Sequence, residues 1–301
     1  MSPISRPAAS LSLLAAMTLT GANVAFGKAV VAEFPIYVFV LFRFIVASVA
    51  LLLLVGAEGG PKLREMMLGQ QRDLVLMSLL GMVAFTVLMF EGLKRTAAAD
   101  AGIITATLPA VVALLSVIVI GDRLSRAQTS AVVLAVAGLI VVQTTGAAAG
   151  ATSTLLGNLL VGGAVLCEAS FVLLGKGLAP PYRPLRLALG ANLVGLVLSL
   201  PLALMELPAF DLALVRPEMW ALAVWYSLAA SVICLWLWYR GLPYVETWLA
   251  GLTTAAIPVA ALGMSALYLG EVIGPVKLAG AVLVIAGIVL GALASPSKPT
   301  P

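Results

Sequence analysis

Apolar runs of about twenty residues, broken by short polar stretches, recur along the whole chain. They lie near 10–29, 35–56, 73–92, 98–120, 127–144, 155–177, 185–205, 218–239, 247–269 and 276–294. A helix needs about 20 largely apolar residues to cross the hydrocarbon core of a bilayer, so the pattern predicts ten spanning helices. The longest polar stretch, Ala57 to Arg72, is too short to fold by itself, and function is therefore expected within the bundle. The first run, with Arg6 ahead of Leu11–Thr20, has the outline of a signal peptide. It continues to Lys28 and has a counterpart later in the chain, so it reads as the first spanning helix.

Composition agrees with that pattern and excludes other classes. Of 301 residues 62% are apolar and 10% charged, whereas a soluble domain has roughly 45–50% and ~25%. The mean hydropathy of +1.14 belongs to a chain solvated by lipid. With no His and two Cys, Cys167 and Cys234, both inside apolar runs, no metal site of ordinary spacing is expected. No cofactor is expected either. The net charge of +4 does not point to nucleic acid, because in membrane proteins excess Lys and Arg marks cytoplasmic loops. With the N-terminus inside, the inner segments hold eleven Lys or Arg and the outer ones five. The expected placement is a multi-pass protein of a bacterial inner membrane with both termini cytoplasmic.

The chain also repeats itself. Gly92–Gly138 and Gly241–Gly287 align without a gap at an offset of 149, with 13 identities in 47 pairs. The matches include the backbone-special pairs Gly102/Gly251, Pro109/Pro258, Gly121/Gly270 and Gly138/Gly287, and Asp122 stands opposite Glu271. Upstream, Ser78 aligns with Ser227, and Gly27-Lys28 with Gly175-Lys176. Five helices per unit is an odd number, so the second unit enters the membrane from the opposite face. The expected fold is an all-α membrane protein of ten transmembrane helices in two inverted five-helix repeats, 1–146 and 147–301. Inverted repeats of this kind build alternating-access transporters with the substrate near the midplane.

A first helix carrying Gly21, Asn23 and Lys28, an Arg in the second (Arg43, with Arg186 as its counterpart), and a final helix pair joined through Gly121-Asp122 or Gly270-Glu271 resemble an EamA domain. Two in tandem resemble the ten-helix branch of the drug/metabolite transporter superfamily. That resemblance implies export of amino acids, drugs or other metabolites. The aromatic residues between Trp225 and Tyr239 and the compact size resemble the bacterial exporters of aromatic amino acids. Thr20 and Glu168 depart from it, standing where many relatives carry a Trp.

Among individual residues, a carboxylate inside an apolar helix is expensive and faces the bundle interior. Glu168 is therefore a candidate for a substrate amine or a proton, or else a structural partner for Arg43. Arg43 could in turn hold a substrate carboxylate. Asn23 and Asn192 offer amides to a zwitterion or glue helices together; Ser78 and Ser227 could line a cavity symmetrically. Trp225 and Trp236 could wall it, while Trp238, Tyr239 and Arg240 read as an interfacial belt. Pro109 and Pro258, read as mid-helix kinks, and Gly102 and Gly251 are candidate gating positions. Lys28 and Lys176 read as interfacial anchors. Gly280, Gly287 and Gly291 give helix 10 a smooth face for packing on helix 5 or for a dimer, with a monomer the expected state.

The leading expectation is a secondary transporter that exports or exchanges amino acids, with a small molecule and the lipid bilayer as its partners. A multidrug or nucleotide-sugar transporter of the same fold is the alternative, and a non-transporting membrane subunit a remoter one. An intramembrane enzyme would need a His base or paired carboxylates. No Walker motif is present, so ATP does not drive the protein directly; proton coupling and facilitated exchange both stay open.

Overall fold

The computed structural model of the protein describes residues 5–56, 63–120, 126–146, 153–178, 183–241, 244–245 and 253–293. All secondary structure among them is helical. The helices are α1 (Arg6–Val30), α2 (Ile36–Val55), α3 (Leu68–Leu93), α4 (Ala98–Val119), α5 (Arg126–Gly146), α6 (Leu155–Leu178), α7 (Pro184–Glu206), α8 (217–241), α9 (Ala256–Leu269) and α10 (Pro275–Leu293). Of these, α1–α4 and α6–α8 are long and apolar enough to cross a membrane, while α9 and α10 are shorter apolar helices. Pro sits in the opening turn of α1, α7, α8 and α10, where its missing N–H removes no helical bond and its fixed φ suits the helix. Gly270, at φ 67°, closes α9 in the left-handed conformation that glycine adopts without strain.

Three helices are not uniform. The turns Leu79–Ala84 in α3 and Ala229–Ile233 in α8 are widened to π geometry, and α4 is interrupted at Ala106–Thr107. Pro109 is the second residue after that interruption, and Pro258 the third residue of α9. Both prolines were expected mid-helix; both instead lie in the first turn of a helical segment, where the N–H they lack is unmatched in any case.

Small residues let the helices approach closely. A Cβ on Gly138 of α5 would sit 2.9 Å from the Gly280 carbonyl of α10, and one on Gly92 of α3 2.9 Å from the Gly157 carbonyl of α6. The smooth face of helix 10 is thus used against α5 within the chain. α2 packs along α7, α1 lies between α8 and α9, and α6 between α3 and α4. Large apolar side chains such as Leu53, Leu68, Leu267 and Val272 point outward. In water such a surface would aggregate; against lipid it is the solvated face. Below, the end at which α1 finishes is termed distal, and the end at which it begins proximal.

Candidate functional site

Arg43 of α2 is 5% exposed, inside the bundle. Its Nη1 donates to Thr86 Oγ1 of α3 at 2.5 Å, and its Nε makes a longer bond, 3.4 Å, to Ser231 Oγ of α8. Thr86 lies just beyond the widened turn of α3 and donates its own hydroxyl proton to the Met82 carbonyl inside that turn, at 2.5 Å. Ser231 lies within the widened turn of α8. Such turns depart from the regular ladder and recur at functional sites. Glu168 of α6 lies within electrostatic range of the guanidinium, yet no ion pair closes between the two among the described residues. A buried guanidinium and a carboxyl group therefore lie near one another within the bundle without an ion pair between them.

Asn23 of α1 completes the layer. It is buried, and neither its Oδ1 nor its Nδ2 has a hydrogen-bond partner among the described residues. It stands one helical turn before Gly27, and residues four apart share a helix face. A Cβ on Gly27 would lie 3.0 Å from Phe90 and 3.1 Å from Tyr226. Those two rings and Phe39 form a mutually touching triad, with centroids 5.2 to 5.7 Å apart, one ring each from α2, α3 and α8. Arg43 follows Phe39 by one turn, Thr86 precedes Phe90 by one turn, and Ser231 follows Tyr226 by five residues. With α1 and α3 running toward the distal end and α2 and α8 away from it, Asn23, Arg43, Thr86 and Ser231 all lie on the proximal side of the ring triad. The triad separates this polar layer from the distal end.

At the distal end charges tie the two halves of the sequence together. Lys28 Nζ pairs with Glu271 at 3.1 Å and donates to the Thr96 carbonyl at 2.7 Å. Glu271 also accepts from the backbone N–H groups of Ala98 and Ala99, at 2.8 and 3.0 Å. It thus caps α4 from the other half, as a carboxylate suits a helix N-terminus. Asp100, wholly buried, pairs with Lys277 at 3.0 Å and accepts from Ser153 at 2.5 Å. Glu206 caps α2 by accepting from Tyr37 N–H at 2.8 Å. Glu33 and Arg216 form an exposed ion pair. The hydrogen bond from Arg216 holds the Glu33 carboxyl below the usual range.

The EamA-like transporter family matches this chain twice, over residues 7–144 and 155–292. The chain belongs to that family. It is 31% identical over 287 residues to the "Uncharacterized transporter YetK" of Bacillus subtilis, covering 93% of this chain and 85% of the relative. It is 29% identical to the "Probable terminal-alkyne amino-acid exporter" of Streptantibioticus cattleyicolor, covering 83% and 82%. A solved crystal structure shares the fold with a TM-score of 0.66 at 18% identity, over 96% of this chain and 98% of that one. The protein is thus a multi-pass membrane transporter, and not an enzyme.

Within this EamA protein the expected site residues separate. Arg43 and Glu168 lie within electrostatic range of each other, and Asn23 lies on the same, proximal side of the ring triad. Asn192 is buried, its Nδ2 donating to the Ala188 carbonyl at 2.7 Å while its Oδ1 lacks a partner. Ser78 and Ser227 are buried and donate to carbonyls of their own helices, those of Leu74 and Ala223. Trp225 is 43% exposed, and Trp236, also exposed, stacks with Arg240 at 4.8 Å. A Cβ on Gly102 would collide with Ala261 of α9, so this glycine marks a close helix crossing. Gly251 lies outside the described residues, as does the side chain of Lys176. Lys28, expected as an interfacial anchor, pairs with Glu271. Thr86, Ser231, Tyr226 and the Asp100–Lys277 pair were not among the expected site residues. Hydroxyls and rings are ordinary in membrane helices, and only the repeated Ser-Leu ahead of each widened turn hinted at them.

Proposed function

We propose that this EamA transporter exports or exchanges amino acids, aromatic ones included, by alternating access between two inverted five-helix halves of a ten-span bundle. The observation that carries the substrate reading is the central layer. Arg43 offers donors to a carboxylate, Glu168 a negative charge to an ammonium, and Asn23 both a donor and an acceptor. An α-amino acid supplies the complementary set, and the ring triad offers its side chain an apolar surface. The exporter from Streptantibioticus adds a family precedent for amino-acid cargo.

The inverted arrangement is supported by paired contacts. Gly92 of α3 abuts Gly157 and Val161 of α6, and Gly241 of α8 abuts Ala9 and Leu13 of α1. Gly241 follows Gly92 by 149 residues, and Gly157 and Val161 follow Ala9 and Leu13 by 148. α1 begins at the proximal end while α6, whose start region bonds to Thr96 through Asn158, begins at the distal end. The count of Lys and Arg puts the proximal end in the cytoplasm, so the distal pairs and ring triad close the outer side. Trp225 and Trp236 then belong to the lipid-facing surface.

Counterflow into liposomes preloaded with each of a panel of amino acids tests the reading. It predicts exchange of at least one amino acid, with aromatic ones among the cargo. Exchange of lipophilic cations, with none of any amino acid, would refute it.

A further inference from the structure

We propose that Thr86 and Ser231 aim Arg43 at the substrate carboxylate, and so set the preference of this transporter for carboxylates over their amides. The inference rests on the amino-acid reading above and names residues that make one part of it work. A buried guanidinium has five N–H donors in a fixed plane. Here the two hydroxyls hold it from different sides, Thr86 from α3 of the first half and Ser231 from α8 of the second. Neither hydroxyl carries charge, so neither neutralises the guanidinium, as a carboxylate in the same place would.

Each hydroxyl also comes from a special piece of backbone. The widened turn of α3 ends one residue before Phe85, and that of α8 includes Ser231 itself. The Thr86 hydroxyl proton is committed to the Met82 carbonyl at 2.5 Å, so its oxygen faces Arg43 as an acceptor with its orientation fixed. A guanidinium left to rotate would lose the planar, two-point fit that carboxylates require. Thr86 and Ser231 are positioning residues, acting through Arg43. The shorter bond, from Nη1 to Thr86, makes Thr86 the stronger of the two.

The test is competition against radiolabelled L-phenylalanine entering liposomes preloaded with L-phenylalanine, using L-phenylalanine and L-phenylalaninamide as competitors. Wild type is expected to prefer the acid. Thr86→Val, nearly isosteric but without the hydroxyl, is expected to weaken competition by the acid about tenfold, as for loss of one charge-assisted bond, and to leave the amide unchanged. Ser231→Ala shifts the same ratio less, and Thr86→Ser restores it. A purely structural role would weaken acid and amide together, or lower only the rate, and either result overturns the proposal. So does a wild type that exchanges amino acids without favouring the acid. That last result leaves the exporter reading standing, whereas failure of every amino acid to exchange refutes both.

Discussion

Glu271 at the distal end accepts from two backbone amides and pairs with Lys28, whereas Asn23, deep in the bundle, has no partner for either amide atom among the described residues. Asp100 and Arg43 make the same contrast among charges. Buried Asp100 is met by Lys277 and by Ser153; buried Arg43 is met by two neutral hydroxyls, with Glu168 near but not in contact. Both regions lie in a low-dielectric bundle where an unsatisfied polar group is expensive. The distal end meets most of that cost with the chain's own ion pairs and helix caps. The central layer leaves Asn23 without a partner among the described residues, and the amino acid proposed above as substrate would supply one.

Breaking a partner in the distal region should therefore have the largest effect on stability. Lys277→Met strands the Asp100 carboxylate, and its thermal unfolding is expected to show a loss of ~3–5 kcal/mol, typical for one side of a buried pair. Asp100→Asn combined with Lys277→Met should recover much of that loss. A smaller change is expected for Glu271→Gln, which keeps an oxygen for the α4 amides but removes the charge facing Lys28. In a background lacking Cys167 and Cys234, with a cysteine placed at Ala230 beyond the ring triad, an impermeant maleimide added from the distal side should react faster by about tenfold, as expected when a latch worth ~1.4 kcal/mol is lost. Equal rates would mean that the distal pairs do not hold that side shut.

The exposed Glu33–Arg216 pair should matter least. Its lowered carboxyl pKa means the pair contributes at neutral pH, and that contribution is lost as pH falls through the lowered value, below the ordinary range of Glu. Surface pairs contribute little, so Arg216→Gln should change unfolding only slightly at pH 7. The difference from wild type should vanish in strong acid, and a difference that grew on acidification would contradict the assignment.

The sequence made the central layer partly legible and the distal end hardly at all. Arg43 and Glu168 stand out because a charge inside a twenty-residue apolar run has few explanations, and Asn23 for a similar reason. The positions of the described helices largely follow from the apolar runs. Glu271 and Glu206 cap helices that lie 173 and 169 residues away from them, and no local pattern announces which helix start a distant carboxylate will meet. Pro109 and Pro258 misled because a proline within an apolar run looks like a kink, while a break just ahead of it leaves it in a first turn. An aromatic cluster on one helix does not say which ring is buried in the core: Tyr226 is, while Trp225 and Trp236 are more exposed.

The most direct test of the central layer is the unfolding temperature of wild type and Asn23→Leu, each with and without the amino acid that exchanges best. Leu has a similar volume and removes a buried amide that lacks partners, a group costing ~1–3 kcal/mol. The account predicts that Asn23→Leu is more stable than wild type without ligand, and that the amino acid raises the melting point of wild type but not of the variant. A variant less stable than wild type, or one stabilised just as much by the amino acid, would contradict it.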